Sequence, residues 1–432
     1  MLSYAEFLES KKRVFRGDGI VPSSLPRQLF PWQAAIVRWA LKKGRAAIFA
    51  DCGLGKSFMQ VAWAHALGVR TLILAPLCVA EQTVSEAAKL GIAAEYAPDG
   101  QHTGPAQIVI TNYERLEKFR ASDFDAVVLD ESSILKAFNG ATRTALIETF
   151  TQTPYRLCCT ATPSPNDIAE LANHAEFLGL MTRPEFLATW FVHDDQGWRM
   201  KGHAVRPFYR WLASWAVALR SPADLGYDEA GFRLPALSIQ DVAIASAHNL
   251  TGALFPEAGL KGIDGRLKAR RGSLRERVTA AADLVAAEPD ESWLLLCGMN
   301  DESTALAEAI PGAVEVRGDD SHAEKVAAIR GFVDGSIRVL VSKARIVGYG
   351  LNLQHCARMA FVGLSDSYEQ YYQAIRRCWR FGQTRPVVAW IVVSEAEQLV
   401  VENVRRKEAT AAQLADGLLQ HLRVFEQEEL SA

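Results

Sequence analysis

Ala50-Asp51-Cys52-Gly53-Leu54-Gly55-Lys56-Ser57 is the stretch that decides how this chain is read. It follows the apolar run Ala46-Ala47-Ile48-Phe49 and precedes Phe58-Met59-Gln60-Val61-Ala62-Trp63, which has helical character. A strand, then a glycine-bearing loop ending in Lys-Ser, then a helix is the layout that wraps a nucleoside triphosphate. Gly53 and Gly55 let backbone N–H groups approach phosphate oxygens, and the helix N-terminus adds partial positive charge. In that reading Lys56 reaches the outer phosphates and the Ser57 hydroxyl holds Mg²⁺. Ala50 stands where the short pattern has its first glycine, so a glycine-rich strand-to-helix turn reads the same way at this level.

The chain is long enough for two or three domains, with 432 residues, 49% of them hydrophobic and 22% charged. That balance is ordinary for a soluble globular enzyme. Its 47 Lys and Arg against 50 Asp and Glu give a net charge of −3, so any nucleic-acid surface must be a local patch. The seven cysteines, at 52, 78, 158, 159, 297, 356 and 378, form no CxxC pair. Neither a zinc site nor a disulfide framework is expected, and reduced thiols suit a cytoplasmic setting. No apolar run approaches the ~18 residues of a membrane span, and Met1-Leu2-Ser3-Tyr4-Ala5-Glu6 lacks a signal-peptide pattern.

Outward from the loop, Thr71–Ala75, Gln107–Ile110 and Ala126–Leu129 read as buried parallel strands, with helices such as Gln33–Lys42 and Val79–Leu90 between them. Past Thr162-Pro163 the texture turns aromatic and helical, with Trp190, Phe191, Trp198, Phe208, Tyr209, Trp211 and Trp215. This block reads as an insertion or extension and not as more sheet, its tryptophans more as core than as base-stacking platforms. A second alternation follows, with strands at Ser292–Cys297, Val314–Val316, Arg338–Val341 and Met359–Val362 and a helix at Ala323–Phe332. The expected fold class is α/β, two tandem parallel-sheet domains with a helical insertion or extension between them. The expected boundaries are 1–163 for the ATP-binding domain, 164–264 for a helical protrusion or extension and return to the core, 265–277 for a basic linker, 278–415 for the second domain and 416–432 for a tail. With a phosphate loop in the first domain only, ATP is expected in a cleft between the two.

Val127-Val128-Leu129 ends in Asp130-Glu131. Asp130 at a strand end is placed to bind Mg²⁺, and Glu131 to orient and deprotonate an attacking water. An acidic helix cap is the plainer alternative for such a pair. In Cys159-Thr160-Ala161-Thr162-Pro163, the Thr160 and Thr162 hydroxyls are placed to bond the acid pair and couple it to the γ-phosphate; a Thr-Pro turn is the other reading. In Tyr371–Gln383, read as one helix, Gln373, Arg377 and Arg380 share a face, and the two guanidiniums suit charge on a transferring phosphoryl group. A basic face toward solvent or nucleic acid stays open.

These motifs occur in order, together with Gly350-Leu351-Asn352-Leu353-Gln354. The chain resembles the superfamily 2 DEAD/DEAH-type helicases, within them the Swi/Snf-like DNA translocases, and among those the compact phage and prophage members. The likeness runs from about residue 29 to 395 and implies RecA-like domains, ATP and Mg²⁺ as cofactors, and DNA, duplex or single-stranded, as partner. It also implies a bacterial or phage-infected cytoplasm and no membrane association. By resemblance Gln33 reads adenine, Arg380 is an arginine finger with Arg377 and Gln373 as partners, and Gly350 passes close to the nucleotide. Pro76, Asn112, Tyr113, Ser342, Lys343 and Arg345 match loops that touch the nucleic-acid backbone. Loop packing for Pro76 and Tyr113, and solvated charge for Lys343 and Arg345, remain alternatives. The acid box, Asp130-Glu131-Ser132-Ser133, has no histidine at its fourth position. The basic residues Arg266, Lys268, Arg270 and Arg271 suit either a DNA-facing linker or a solvated helix face. The expected activity is ATP hydrolysis coupled to movement along DNA. An RNA helicase on the same scaffold and a non-catalytic nucleic-acid clamp are the rival readings.

Overall fold

Strand β1 (Arg45–Ala50) shows why the first sheet reads as continuous apolar runs. Ala47 and Phe49 enter one core cluster while Ala46, Ile48 and Ala50 enter another, so both faces of the strand are covered. The computed structural model describes residues 14–101, 104, 106–136, 140–165, 167–194, 197–244, 270–347 and 352–431. Two compact units result, Met1–Phe232 with Thr410–Ala432 and Arg233–Ala409.

In the first unit, helix α1 (Pro31–Lys43) opens on a proline that needs no N–H partner and closes on Gly44 at φ 70°. β1 follows, then the glycine loop, helix α2 (Lys56–Leu67), β2 (Thr71–Ala75), α3 (Leu77–Lys89), β3 (Ala94–Tyr96), β4 (Ile108–Asn112) and β5 (Ala126–Asp130). A 3₁₀ turn (Ser132–Lys136), α4 (Ala141–Thr149) and β6 (Tyr155–Cys159) complete the early part. The aromatic block supplies α5 (Leu171–Phe177), α6 (Arg183–Trp190), the antiparallel hairpin β7 (Phe191–Asp194) and β8 (Gly197–Met200), α7 (Val205–Ala213) and β9 (Ala216–Leu219). The first sheet has seven strands in the order β3-β4-β2-β5-β6-β1-β9, each pair parallel.

The block past Thr162 therefore does contribute sheet, contrary to its reading as an insertion without strands. β9 is only Ala-Val-Ala-Leu, too short to stand out among flanking aromatics, yet it pairs with β1 from Ala47–Ala216 to Ala50–Leu219. Trp190, Trp211 and Trp215 are buried, as befits core, and Trp190 and Trp211 pack with ring centroids 5.7 Å apart.

The second unit carries β10 (Leu237–Ile244), α8 (Leu274–Ala287), β11 (Trp293–Cys297), α9 (Asn300–Ala309), β12 (Ala313–Val316), α10 (His322–Asp334) and β13 (Val339–Lys343). It continues through α11 (Ala344–Val347), β14 (Arg358–Val362), α12 (Tyr368–Cys378), β15 (Val387–Ser394) and the start of helix α13 (Gln398–Ser431), whose residues from Thr410 onward belong to the first unit. Its sheet runs β10-β15-β14-β11-β13-β12, again all parallel. Two parallel sheets flanked by helices make this an α/β protein of two RecA-like units.

Two further expectations change. Of the stretch read as a basic linker, 265–269 lies outside the described residues, while 270–277 is largely helical and packed into the second unit. Arg270 donates from Nε and Nη2 to the two oxygens of Glu302, at 2.5 and 2.6 Å, and Arg277 adds a bond of 2.8 Å to the same carboxylate. These two arginines serve the core of that unit and not a solvent or DNA face; Arg266 and Lys268 lie outside the described residues. The segment read as a tail from 416 is the end of α13, whose Leu418 and Leu422 join a core cluster of the first unit. Among the described residues no helix is long and apolar enough to cross a membrane.

Candidate functional site

The carboxyl ends of β5, β6 and β1 lie side by side in the first sheet, and the loops that follow them carry the candidate chemistry. Gly53 and Gly55 have φ of 87° and 70°, a backbone that only glycine adopts freely. Gly55 is the N-cap of α2, so Lys56 and Ser57 open the helix, and Ser57 is half-buried there. A Cβ on Gly55 would lie 2.6 Å from Gln33 Nε2. Gln33 is buried and binds the loop itself: its Nε2 donates to Leu54 O at 3.0 Å, and its Oε1 accepts from Phe30 N at 3.0 Å. In this conformation the Gln33 amide is a strut between α1 and the loop. The Lys56 ammonium donates to Ala50 O at 2.9 Å and Asp51 O at 3.3 Å.

Asp130, at the end of β5, is buried and accepts 2.7 Å from Gln60 Nε2 on α2. Its backbone carbonyl accepts 2.6 Å from the Tyr113 hydroxyl. Burial pushes the Asp130 carboxyl up to about 6; Glu131 adds to the rise, and Gln60 and Lys56 oppose it. Burial likewise holds the Tyr113 hydroxyl well above its ordinary range, with Asp130 contributing. Among the described residues Glu131 alone is a non-glycine with positive φ, at 56°. That conformation costs on the order of 1 kcal/mol and persists only where neighbours over-determine it. They do so here: Glu131 Oε1 accepts from Thr160 Oγ1 at 2.6 Å and from Ser133 Oγ at 3.0 Å. Thr162 N donates to Thr160 Oγ1 at 3.1 Å, and Thr162 Oγ1 is buried without a partner.

The residues present fit a magnesium nucleotide. The left-handed glycines, the lysine and the helix N-terminus form the cradle, and Gln60 Oε1 is a buried acceptor without a partner on the residue that holds Asp130. Among the described residues no group of three or more His, Cys, Asp or Glu side chains could hold a metal ion. Mg²⁺ shared with substrate phosphates needs only one or two carboxylates, which Asp130 with the Ser57 hydroxyl would supply.

The second unit holds Gln373, Arg377 and Arg380. Arg377 is buried on α12 and donates from Nη2 to Gln373 Oε1 at 3.0 Å, while Gln373 Nε2 is buried without a partner. Arg380 is not on that helix, contrary to the reading of 371–383 as one helix. α12 ends at Cys378; Trp379 turns out of it, its indole N–H donating 2.7 Å to Pro235 O, and Gly382 follows at φ 92°. Arg380 sits half-buried in the turn, its carbonyl accepting from Gln383 N at 3.0 Å. Neighbouring Arg376 instead lies 4.8 Å over the Trp379 ring. Gly350 lies outside the described residues.

The loops matched to backbone contacts divide. Asn112 and Tyr113 are buried and point inward, Asn112 Nδ2 donating to Tyr96 Oη at 3.3 Å, and Ser342 is a strut to Val316 O at 2.9 Å. All three turn their side chains inward, where each makes a hydrogen bond within its own unit. Pro76 is half-buried ahead of α3. Lys343 lines a cavity of about 210 Å³ with Gly298, Gly363, Gln370 and Tyr371. Arg345 is on α11, and its side chain lies outside the described residues. The sequence reading missed Gln60 and His174, which reach Asp130 and Ser132 across 70 and 42 residues of chain, and Asn173, which reaches the end of the following turn across 38; none carries a local motif.

Residues 276–382 match the helicase conserved C-terminal domain. The matched segment opens within α8 and closes in the turn that bears Arg380, so it spans most of the second unit. No curated protein matches the chain. The domain match supports a superfamily 1 or 2 helicase, a class that generally hydrolyses ATP, usually with Mg²⁺, and binds nucleic acid.

Proposed function

We propose that this chain is a DNA-dependent ATP hydrolase that couples turnover to movement along DNA, of the Swi/Snf-like kind and close to the compact phage and prophage helicases. One observation carries the reading most. A strained, doubly hydrogen-bonded Glu131 stands beside a buried Asp130 at the carboxyl edge of a sheet whose β1 loop ends in Lys-Ser, in a chain whose other unit matches a helicase domain.

In this reading the loop amides, Lys56 and the N-terminus of α2 bind the phosphates. Asp130, with Ser57, would hold a magnesium ion, which would supply charge stabilisation at the phosphates. Gln60 orients Asp130, and burial keeps bulk water from it. Glu131 Oε2 is left to take the proton of the attacking water, since Oε1 is occupied by Thr160 and Ser133. Arg377, fixed by Gln373, and Arg380 are the second unit's contribution to the developing charge. Gln33 secures the loop and turns to the base only by giving up its bond to Leu54. Lys343 and Arg345 are the proposed backbone contacts of the second unit, and Pro76 with the backbone at 111–113 those of the first.

The test is phosphate release at saturating ATP across duplex DNA, single-stranded DNA and RNA, for the parental chain and Arg380→Ala. Stimulation by DNA, with Arg380→Ala still binding ATP but losing about 10³-fold in turnover, is expected. Stimulation by RNA alone makes it an RNA helicase; no release with any polymer makes it a clamp; parental turnover in Arg380→Ala removes the finger.

A further inference from the structure

The acid box contains no imidazole, yet the fold brings one to it. His174 on α5 is 1% exposed, and its Nε2 lies 3.1 Å from Ser132 Oγ. The preceding residue, Asn173, donates from Nδ2 to Leu135 O at 2.8 Å and to Lys136 O at 3.5 Å. Two adjacent, fully buried side chains of α5 thus grip both ends of the 3₁₀ turn that begins directly after Glu131. Burial lowers the His174 pKa to about 4, so the ring is neutral at physiological pH and takes part as a hydrogen-bonding group without charge. Its edge also meets the Phe49 ring, with centroids 5.4 Å apart, which fixes the imidazole from the β1 side.

The turn needs this grip. Glu131 is held at φ 56°, and its own carbonyl is tied into the turn by a bond from Ile134 N of 3.2 Å. Thr160 and Ser133 fix the carboxylate, and Tyr113 fixes the backbone before it. α5 holds the turn after it from both ends, through His174 at the Ser132 hydroxyl and Asn173 at the Leu135 and Lys136 carbonyls, and α5 is the first helix of the aromatic block. Leu171, Ala172, Ala175 and Phe177 of that helix share a core cluster with Phe186, Phe208 and Trp211.

We propose that His174 is a positioning residue for the hydrolytic step: through Ser132 it sets the direction of the Glu131 carboxylate, and it ties that direction to the aromatic block. This inference rests on the ATP-hydrolase reading above. His174 is buried and bonds the turn after the acid pair and not the glycine loop, so it bears on turnover and not on ATP affinity.

The experiment measures kcat and KM for ATP, with saturating duplex DNA, on the full chain and on Ser132→Ala, His174→Ala and His174→Gln, with Lys56→Ala as background. Ser132→Ala deletes one oxygen from a turn residue and keeps the question answerable where His174→Ala unfolds. We expect Ser132→Ala and His174→Ala to lose about tenfold in kcat with KM held within about twofold. His174→Gln, whose amide nitrogen reaches the Nε2 position, should recover to within about threefold of the parent. Parental kcat in Ser132→Ala, or His174→Gln as slow as His174→Ala, overturns the inference while leaving an active parent's ATPase reading intact. A parent no faster than Lys56→Ala overturns both.

Discussion

Thr160 Oγ1 donates to Glu131 Oε1 at 2.6 Å, joining the loop after β6 to a carboxylate in a left-handed backbone. The pair makes the role of each residue separable. Glu131→Gln keeps size and the acceptor that Thr160 uses but removes the proposed base; turnover should fall by about 10²-fold or more with ATP binding retained. Thr160→Val keeps the buried volume and deletes the donor. It should lower kcat about tenfold and leave KM nearly unchanged, because the bond orients the base and does not touch the nucleotide. Steady-state phosphate release and equilibrium binding of labelled ATP distinguish these. A Thr160→Val variant that loses ATP binding as well places Thr160 in the nucleotide cradle instead.

Gly55→Ala tests the loop. The residue is at φ 70°, and the new Cβ would meet Gln33 Nε2 at 2.6 Å, so strain and collision add. Gln33 must then release Leu54 O, and the loop loses that side-chain strut from α1. The expected result is a loss of ATP affinity of at least about tenfold, with overall stability lowered by about 1–2 kcal/mol. Binding isotherms and a denaturant melt read the two separately. Gln33→Ala in the same background should relieve the collision and recover part of the stability.

The glycine-bearing Lys-Ser loop, the acid pair and the strands around them were legible as structure because each is local: buried parallel strands read as unbroken apolar runs, and the loop carries its glycines, lysine and serine within eight residues. β10 was missed because it alternates half-buried and exposed residues along Leu237–Ile244, as an edge strand does. The helix bearing Arg377 was read too long because its end is set by the bond from Trp379 to Pro235, 144 residues away. Asn112, Tyr113 and Ser342 matched backbone-contact loops by resemblance, with loop packing left open for Tyr113; their inward partners were hidden because sheet order fixes them and not neighbours in sequence. Gln60 and His174 were invisible on that ground too, separated from their acid-box partners by 70 and 42 residues.

Glu302 anchors a buried charge cluster in the second unit. It is fully buried, takes three bonds from Arg270 and Arg277, and accepts 3.0 Å from each of Gly298 N and Met299 N. Glu302→Ala leaves two guanidiniums without that carboxylate and should cost about 3–5 kcal/mol. Burial alone would raise its pKa, but the Arg270 bond and the two positive charges hold it below the ordinary glutamate range. A depressed folded pKa means the contribution is present above about 4.5 and is lost as pH falls through the folded value. Urea melts of the parent and of Glu302→Gln between pH 7 and pH 3 should therefore converge toward the acid end. Curves that stay parallel would show that the carboxylate's charge does not support the fold.

Glu426, near the end of α13, gives the opposite pH dependence. β9 is an edge of the first sheet, and Ala218 N on it donates 2.8 Å to Glu426 Oε1. That bond closes one group of an otherwise open edge. Burial raises the Glu426 carboxyl to about 8, outweighing the Ala218 bond, which favours the ionised form. With the folded pKa above the unfolded one, the folded state binds the extra proton. This contribution to stability is complete below about 4.5 and disappears as pH rises through about 8. Glu426→Gln keeps an oxygen for Ala218 N and cannot ionise. Its melting temperature should lie near the parent's at pH 5 and above it at pH 9, by an amount corresponding to a few kcal/mol at most. An equal offset at both pH values would mean that the carboxyl ionises as freely in the folded chain as in the unfolded one, and that the end of α13 opens to water.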